Sequence, residues 1–466
     1  MNTNNLSLKE KVAYGIGAVG KDMVYMLSAS YVLYYYQDLL GVNAIAMGMI
    51  LLVARVFDAF NDPIMGILVA KTKTKWGKFR PWLFIGTLTN AVVLYFMFAA
   101  PPAIDGGGLI AYAAIIYILW GVTYTMMDIP YWSMVPAFTK AGKERENLSA
   151  MARSCAGVGS SIIVVITVMT VAALGKIFAG EGAAEKQIEI VGFKYFALAV
   201  AIIFFVFILI TCLAIKEKST VDMPTVTIGD MFKALISNDQ AMTTVITIVL
   251  VNTAIYTTSN LVIYFFKYDF GGAGWKGAYT LFNTFGGAIQ VLSMMLFFPI
   301  LRKFLDTIKL FYVSFFSAVA GYIVLLIIAS TPMKSVYLLF VPAFFIFGSV
   351  GMMSVLTTIF LANTVDYGEL KNNRRDDSVI FSMQTFVVKL ASGVAAAVAA
   401  GALAIFNISS DENAVVSASA SSILGLRLTM TIIPMIVLVF AFITFKRKYI
   451  LTDEKVAEIS EKLQAR

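Results

Sequence analysis

Apolar runs of about 20 residues recur from one end of the chain to the other, each the length a helix needs to cross a bilayer's hydrocarbon. About twelve are read, near 12–37, 43–70, 82–100, 109–138, 148–175, 190–215, 241–266, 278–301, 308–330, 335–364, 378–405 and 424–445. The fold class expected is therefore all-α and integral to a membrane. Composition agrees: 59% of the residues are hydrophobic and only 14% charged, against roughly 25% charged in soluble domains. Residues 1–11 are polar and the first apolar run is too long for a signal-peptide core, so no cleavable leader is expected.

The loops between the runs alternate in basicity. Lys71, Lys73, Lys75, Lys78 and Arg80 crowd "KTKTKWGKFRP"; Lys140, Lys143 and Arg145 fill 139–147; Arg302, Lys303 and Lys309, then Arg374 and Arg375, then Lys446, Arg447 and Lys448 mark later turns. "QDLLGVNA", "PPAIDGGG" and "FNISSDENAVVSASASS" hold no Lys or Arg; the loop near 176–194, with three lysines, breaks the pattern. The bias puts both termini in the cytoplasm. The net charge of +8 is thus spread over one membrane face, which argues against a nucleic-acid partner. Cys155 and Cys212 fall within spans and read as packing residues, and the absence of histidine excludes a His relay, a His metal site and a Ser-His-Asp triad.

The polar stretch 216–240 divides the chain. The expected organisation is an N-terminal six-helix bundle (1–215), a cytoplasmic middle loop (216–240), a C-terminal six-helix bundle (241–446) and a cytoplasmic tail (447–466) with a helix starting near Thr452. "YYYQDLLGV" (Tyr34–Val42) closes the first span and "YFFKYDFGG" (Tyr264–Gly272) the seventh, a hint of two parallel halves with a site between them at mid-depth.

Charges at span depth are costly, roughly 2.5–3.5 kcal/mol each, and so face cavities and pair. They are Lys21 and Asp22 in span 1, Arg55, Asp58 and Asp62 in span 2, Asp128 in span 4, Arg153 in span 5 and Lys389 in span 11. Lys194, Lys309 and Arg427 lie near enough to span ends to snorkel. Seven of the eight sit in the first half; the second-half positions matching Asp58 and Asp62 are Ile289 and Ser293. Asp58 and Asp62 are four apart and share a helical face, with Asn61 beside them. One reading is helix glue, through Arg55 and Arg153. The other is an oxygen cage for a hard cation such as Na⁺, to which Thr125 adds a hydroxyl. Thr125, Asp128 and Trp132 fall on one stripe of span 4. There a carboxylate and an indole suit a sugar; an interfacial anchor is the plainer reading of Trp132 alone.

The segments "GIGAVGKDM", "LLVARVFDAFNDPIMG", "KWGKFRPW", "YILWGVTYTMMDIPYWSMVP", "KERE", "NDQ", "TVDYGELK" and "QTFVVK" occur in this order over Gly15–Lys389. With them the chain resembles the glycoside–pentoside–hexuronide:cation symporters of the major facilitator superfamily, most nearly the melibiose-transporting members. The resemblance implies twelve helices in two pseudo-symmetric six-helix bundles, and symport of a galactoside such as melibiose with Na⁺, Li⁺ or H⁺ by alternating access. It implies a multi-pass protein of the cell (inner) membrane that functions as a monomer, with no organic cofactor. It further implies a Na⁺ site at Asp58, Asn61, Asp62 and Thr125. A sugar site at Lys21, Asp22, Tyr124, Asp128, Trp132 and Arg153 is implied too, with Gln384, Thr385 and Lys389 lining the same cavity. Two residues depart from that pattern. Ser354 stands where the melibiose-transporting members have a cavity tryptophan, and Asn363 where they have an aspartate before "TVDYG".

Three rival readings are an H⁺-driven symporter of another glycoside, pentoside or hexuronide, an exporter of lipophilic cations and an intramembrane enzyme. Lys21, Arg153 and Lys389 fit the exporter poorly, and no nucleophile motif or metal ligand set supports the enzyme.

Overall fold

The computed structural model describes residues 6–139, 142–180, 182–217, 228–271, 274–331, 335–373, 375–406 and 419–465. Lys140, Arg374 and most of the 406–422 loop, read above as part of the charge pattern, lie outside them.

A backbone in hydrocarbon must satisfy its own hydrogen bonds, which leaves helices as the solution for runs like these. Fifteen α-helices are described: α1 (Leu8–Tyr34), α2 (Ala44–Lys71), α3 (Arg80–Met97), α4 (Gly106–Phe138), α5 (Lys143–Ala179), α6 (Glu185–Ala214), α7 (Ile228–Ser237), α8 (Asp239–Tyr264), α9 (Trp275–Leu292), α10 (Phe298–Leu301), α11 (Thr307–Ala329), α12 (Phe340–Asn372), α13 (Asp377–Ile405), α14 (Ala420–Lys448) and α15 (Asp453–Gln464). Among the described residues nine helices are long and apolar enough to cross a membrane. The shortfall against twelve falls on α1, α2 and α3, of 27, 28 and 18 residues. The runs of α1 and α3 are interrupted by Lys21 and Asp22 and by Asn90; in α2 the fully described residues do not form an unbroken stretch of the required length.

The chain forms two compact units, one of Met1–Leu235 with Lys371–Phe386, the other of Ile236–Leu370 with Val387–Arg466. In the first, α1 packs on α5 and α6, and α4 on α2 and α3. Ser7 starts α1 with a capping box: its hydroxyl accepts from the Glu10 amide at 3.2 Å and the Glu10 carboxylate accepts from the Ser7 amide at 2.8 Å. The basic loop before α3 is more than a topology signal. The amides of Lys78, Phe79 and Arg80 donate to the Glu217 carboxylate at 2.6, 2.9 and 3.2 Å, an anion held at a helix N-terminus. Gly77 (φ 104°) makes the approach possible, since a Cβ there would strike that carboxylate. Lys78 Nζ pairs with Asp377 at 2.7 Å, and Arg375 donates to the Pro136 carbonyl at 2.6 Å.

In the second unit α14 packs on α8 and α11. The tail helix α15 starts where the sequence places it, with Thr452 as N-cap. It is pinned by Asp453, which accepts from Arg302 at 2.5 Å and from the Thr307 hydroxyl at 2.6 Å. The two aromatic strings of the sequence repeat share a local shape: α1 ends in a π-turn, Tyr35–Leu39, and α8 in another, Phe265–Phe270. In the second half, a Cβ on Gly348 would make ordinary contact with Ile289, the residue at the position of Asp58.

One expectation fails. Arg427 does not snorkel; its guanidinium grips Asp269, in the π-turn after α8, through two bonds of 2.7 and 2.6 Å. Asp269 is almost wholly enclosed, so the carboxylate claims the arginine that would otherwise reach for headgroups. Arg427→Gln strands that carboxylate. Because Arg427 keeps some solvent, the loss should lie near the low end of the about 3–5 kcal/mol typical of a broken buried pair. Asp269→Asn in the same chain should restore part of the melting temperature in detergent.

Candidate functional site

Four helices of the first unit bring the buried charges together. Lys21, on α1, is 3% exposed. Its ammonium lies 2.9 Å from Asp22 and 2.8 Å from Asp128 of α4, and 3.3 Å from the Tyr124 hydroxyl. The rings of Trp132, Tyr124 and Tyr131 surround it at 5.2, 5.7 and 5.8 Å from their centroids. Arg153, from α5, lays its guanidinium on the Trp132 indole at 3.8 Å. Two cations and two carboxylates thus share one site, and one indole face is covered by arginine.

A second cluster adjoins it. Asp62 of α2 is fully buried, and Thr125 Oγ1 donates to its Oδ1 at 3.2 Å. Asp58, one turn earlier, faces Gly121 of α4, where a Cβ would overlap its carboxylate. Asn61 is half-buried beside them and its Nδ2 has no hydrogen-bond partner among the described residues. Arg55 lies within electrostatic reach of Tyr25, Tyr117 and Asp58. The helix-glue reading through Arg153 is thereby weakened, since Arg153 is seated on Trp132. Two prolines sit at these carboxylates, Pro63 in α2 and Pro130 in α4. Each removes the helical donor of the carbonyl four residues back.

Gln384, Thr385 and Lys389 follow one another along α13, all half-buried. Thr385 Oγ1 donates to the Phe381 carbonyl at 3.0 Å. Ser354 is half-buried on α12 and its carbonyl accepts from Thr358 at 2.9 Å.

Sequence reasoning missed the pair that locks α1 to α4. Tyr14 Oη donates to the Tyr131 carbonyl at 2.6 Å and Tyr131 Oη to the Tyr14 carbonyl at 2.5 Å, with the rings stacked at 4.4 Å. Tyr14 lies seven residues before Lys21 and so on its face; that spacing was the available signal. Gly121 carried none, because only the neighbouring carboxylate explains it.

A family profile described as MFS/sugar transport protein matches residues 13–453. The chain belongs to this family, the glycoside–pentoside–hexuronide:cation symporters of the major facilitator superfamily. It is a multi-pass transporter, a cation-coupled sugar symporter rather than an enzyme. Similar proteins include a lactose permease of Lactobacillus delbrueckii subsp. bulgaricus, 28% identical over 98% of this chain and 72% of its own. The raffinose carrier protein of Pediococcus pentosaceus is 26% identical over 97% and 71%, and the inner membrane symporter YicJ of Escherichia coli 27% over 99% and 96%. Among solved structures, the proton:xylose symporter XylE shares the fold with a TM-score of 0.65 at 11% identity, over 97% of this chain and 98% of that one.

The reciprocal tyrosine bonds should behave as a unit. Tyr14→Phe and Tyr131→Phe each lose a buried hydrogen bond, about 0.5–1.5 kcal/mol or more where a carbonyl is left unpaired. The double variant should lose less than the sum, by at least about 0.5 kcal/mol in a double-mutant cycle of thermal unfolding.

Proposed function

We propose that the chain takes up a galactoside, melibiose or a related sugar, together with Na⁺, with Li⁺ or H⁺ as possible substitutes, across the cell membrane with both termini in the cytoplasm and as a monomer. The observation that carries this reading is the neighbourhood of the two clusters. Lys21 is held between Asp22 and Asp128, and one turn back along α4 Thr125 bonds Asp62. Carboxylate acceptors, ammonium and guanidinium donors and an indole are the groups that recognise sugar hydroxyls and a pyranose face. Lys21, Asp22, Tyr124, Asp128, Trp132 and Arg153 take the glycosyl ring in this reading; Gln384, Thr385 and Lys389 of α13 are assigned to the substrate by the family resemblance alone. The names of the lactose and raffinose relatives favour a galactoside; Ser354, smaller than the residue it replaces, bears on the sugar's second moiety.

Asp58, Asn61, Asp62 and Thr125 take the cation. Carboxylate, amide and hydroxyl oxygens suit a small hard ion. On α2 itself two carboxylates face one guanidinium, so one negative charge is left for a monovalent ion, a proton or a side chain from elsewhere. The enclosure of Asp62 favours H⁺ as the second reading, because a proton neutralises a buried acid without needing ligands. Coupling follows from α4. A cation that pulls on Thr125 acts three residues, about 4.5 Å of helix, from Asp128. Whatever factor the cation adds to sugar affinity, the sugar must return.

Two substitutions separate the sites. Asp22→Cys should lose sugar binding, since an acceptor in a charge-assisted bond is worth about 1.5–3 kcal/mol, yet keep Na⁺-dependent thermal stabilisation. Asp62→Cys should lose that stabilisation and Na⁺-stimulated uptake. The opposite outcome would mean the two carboxylate sets are exchanged, and stimulation by H⁺ alone in the parent chain would favour the second reading. Gly121→Val forces the Asp58 carboxylate aside and should weaken Na⁺ binding about tenfold, or about 1.4 kcal/mol, by calorimetry. Unchanged affinity would remove Asp58 from the ligand set.

A further inference from the structure

One helical turn beyond Lys21, four side chains that the sugar and cation assignments leave unused, Tyr25, Arg55, Tyr117 and Trp120, form a layer with Tyr124 of the sugar site. Tyr25 follows Lys21 by four residues and Asp22 by three, so it stands on their face of α1. On α4, Trp120 precedes Tyr124 by four, and Tyr117 precedes Trp120 by three. The rings of Tyr117, Trp120 and Tyr124 stack in a row, at 5.8 and 5.2 Å between centroids. Tyr25 closes the group at 6.3 Å from Trp120 and 5.7 Å from Tyr124. Arg55 of α2 reaches the same place, within electrostatic reach of Tyr25 and Tyr117. The pairs Tyr14–Tyr131, Lys21–Asp128 and Tyr25–Trp120 run in opposite order along α1 and α4, so these helices are antiparallel and the aromatic layer lies directly past the Lys21 site, about 6 Å along the axes.

Two features point to a ligand. Trp120 is 5% exposed and its indole N–H is buried with no hydrogen-bond partner among the described residues, an arrangement native proteins rarely keep without use. Arg55 is exposed although it stands beside aromatic rings in a span, so its guanidinium has donors that a ligand can meet.

We infer that Tyr25, Arg55 and Trp120 form a second sugar subsite, which takes the unit attached to the glycosyl ring held at Lys21, Asp22 and Asp128. The inference rests on the galactoside reading above. Aromatic rings supply a flat apolar wall for a ring's C–H face. The Trp120 N–H and the Arg55 donors meet hydroxyl oxygens. Tyr25 is the specificity-determining element, because its ring closes the wall against Trp120 and Tyr124 while its hydroxyl adds a polar group beside Arg55. A ligand with a second sugar satisfies these donors; one ending in a methyl group leaves them unpaired and gains less.

The test is calorimetry on the purified full-length protein at saturating Na⁺, with two matched pairs: methyl α-galactoside against melibiose, and methyl β-galactoside against lactose. Trp120→Phe keeps the stack and removes the N–H; Tyr25→Leu removes the wall. Each should cut affinity for the disaccharide about three- to tenfold more than affinity for its methyl partner. Trp120→Phe, the conservative change, carries the test if Tyr25→Leu does not fold, and Na⁺-dependent thermal stabilisation reports folding for both. Equal losses within each pair would assign these residues to structure and overturn the subsite. So would parent protein that binds each disaccharide no better than its methyl partner. Parent protein that binds none of the four sugars would instead overturn the galactoside reading and the subsite with it.

Discussion

The ammonium of Lys21 is the contact on which the first unit's polar interior depends. Taking a charge out of water costs several kcal/mol even after relaxation, about as much as a small domain's whole stability when several are involved. Here the cost is offset by two carboxylates within 2.9 Å and by three aromatic rings. Removing Lys21 would leave two carboxylates without their shared cation. Arg153 adds the second cation that balances Asp22 and Asp128, and its guanidinium also lies on the Trp132 face. The cluster is therefore near neutral as a whole, yet each member retains polar capacity that a ligand can engage.

Around that cluster the backbone is shaped to let helices approach. The two tyrosines that donate to each other's carbonyls tie α1 to α4 on one side of Lys21. On the α2 side, the missing side chain of Gly121 lets the Asp58 carboxylate lie against α4. The consequence is that α4 carries a contact to both clusters within one turn, Thr125 to Asp62 and Asp128 to Lys21. A rigid helix shared by two sites is the simplest physical route for one occupant to affect the other.

The two halves of the chain keep the same local devices but not the same chemistry. Both α1 and α8 end in a π-turn, and both Gly121 and Gly348 face the residue at the position of Asp58, which in the second half is Ile289. At the position of Asp62 stands Ser293, which opens a third π-turn and donates to the Gly348 carbonyl at 2.5 Å. The second half has spent its equivalent positions on packing. Its enclosed ion pair, Arg427 with Asp269, ties α14 to the end of α8.

Much of this was legible without coordinates. Helix existence followed from run length, because hydrocarbon leaves the backbone no other partner. The tail helix at Thr452 followed from its cap. Asp58, Asp62, Thr125, Lys21, Asp22 and Asp128 were candidates because charges and paired oxygens are expensive in apolar runs, and cost marks use. What sequence order could not supply was partnership. That Lys21 bridges two acids, that Arg153 lies on Trp132, that Arg427 turns to Asp269, that Glu217 plugs the loop before α3 and that Tyr14 and Tyr131 clasp each other all join residues up to 158 positions apart. The linear chain determines which groups must find a partner, through composition and period. Only the packing of helices decides which partner each finds, because that depends on crossing positions and on close approaches, such as the one at Gly121, that leave no mark in the local pattern.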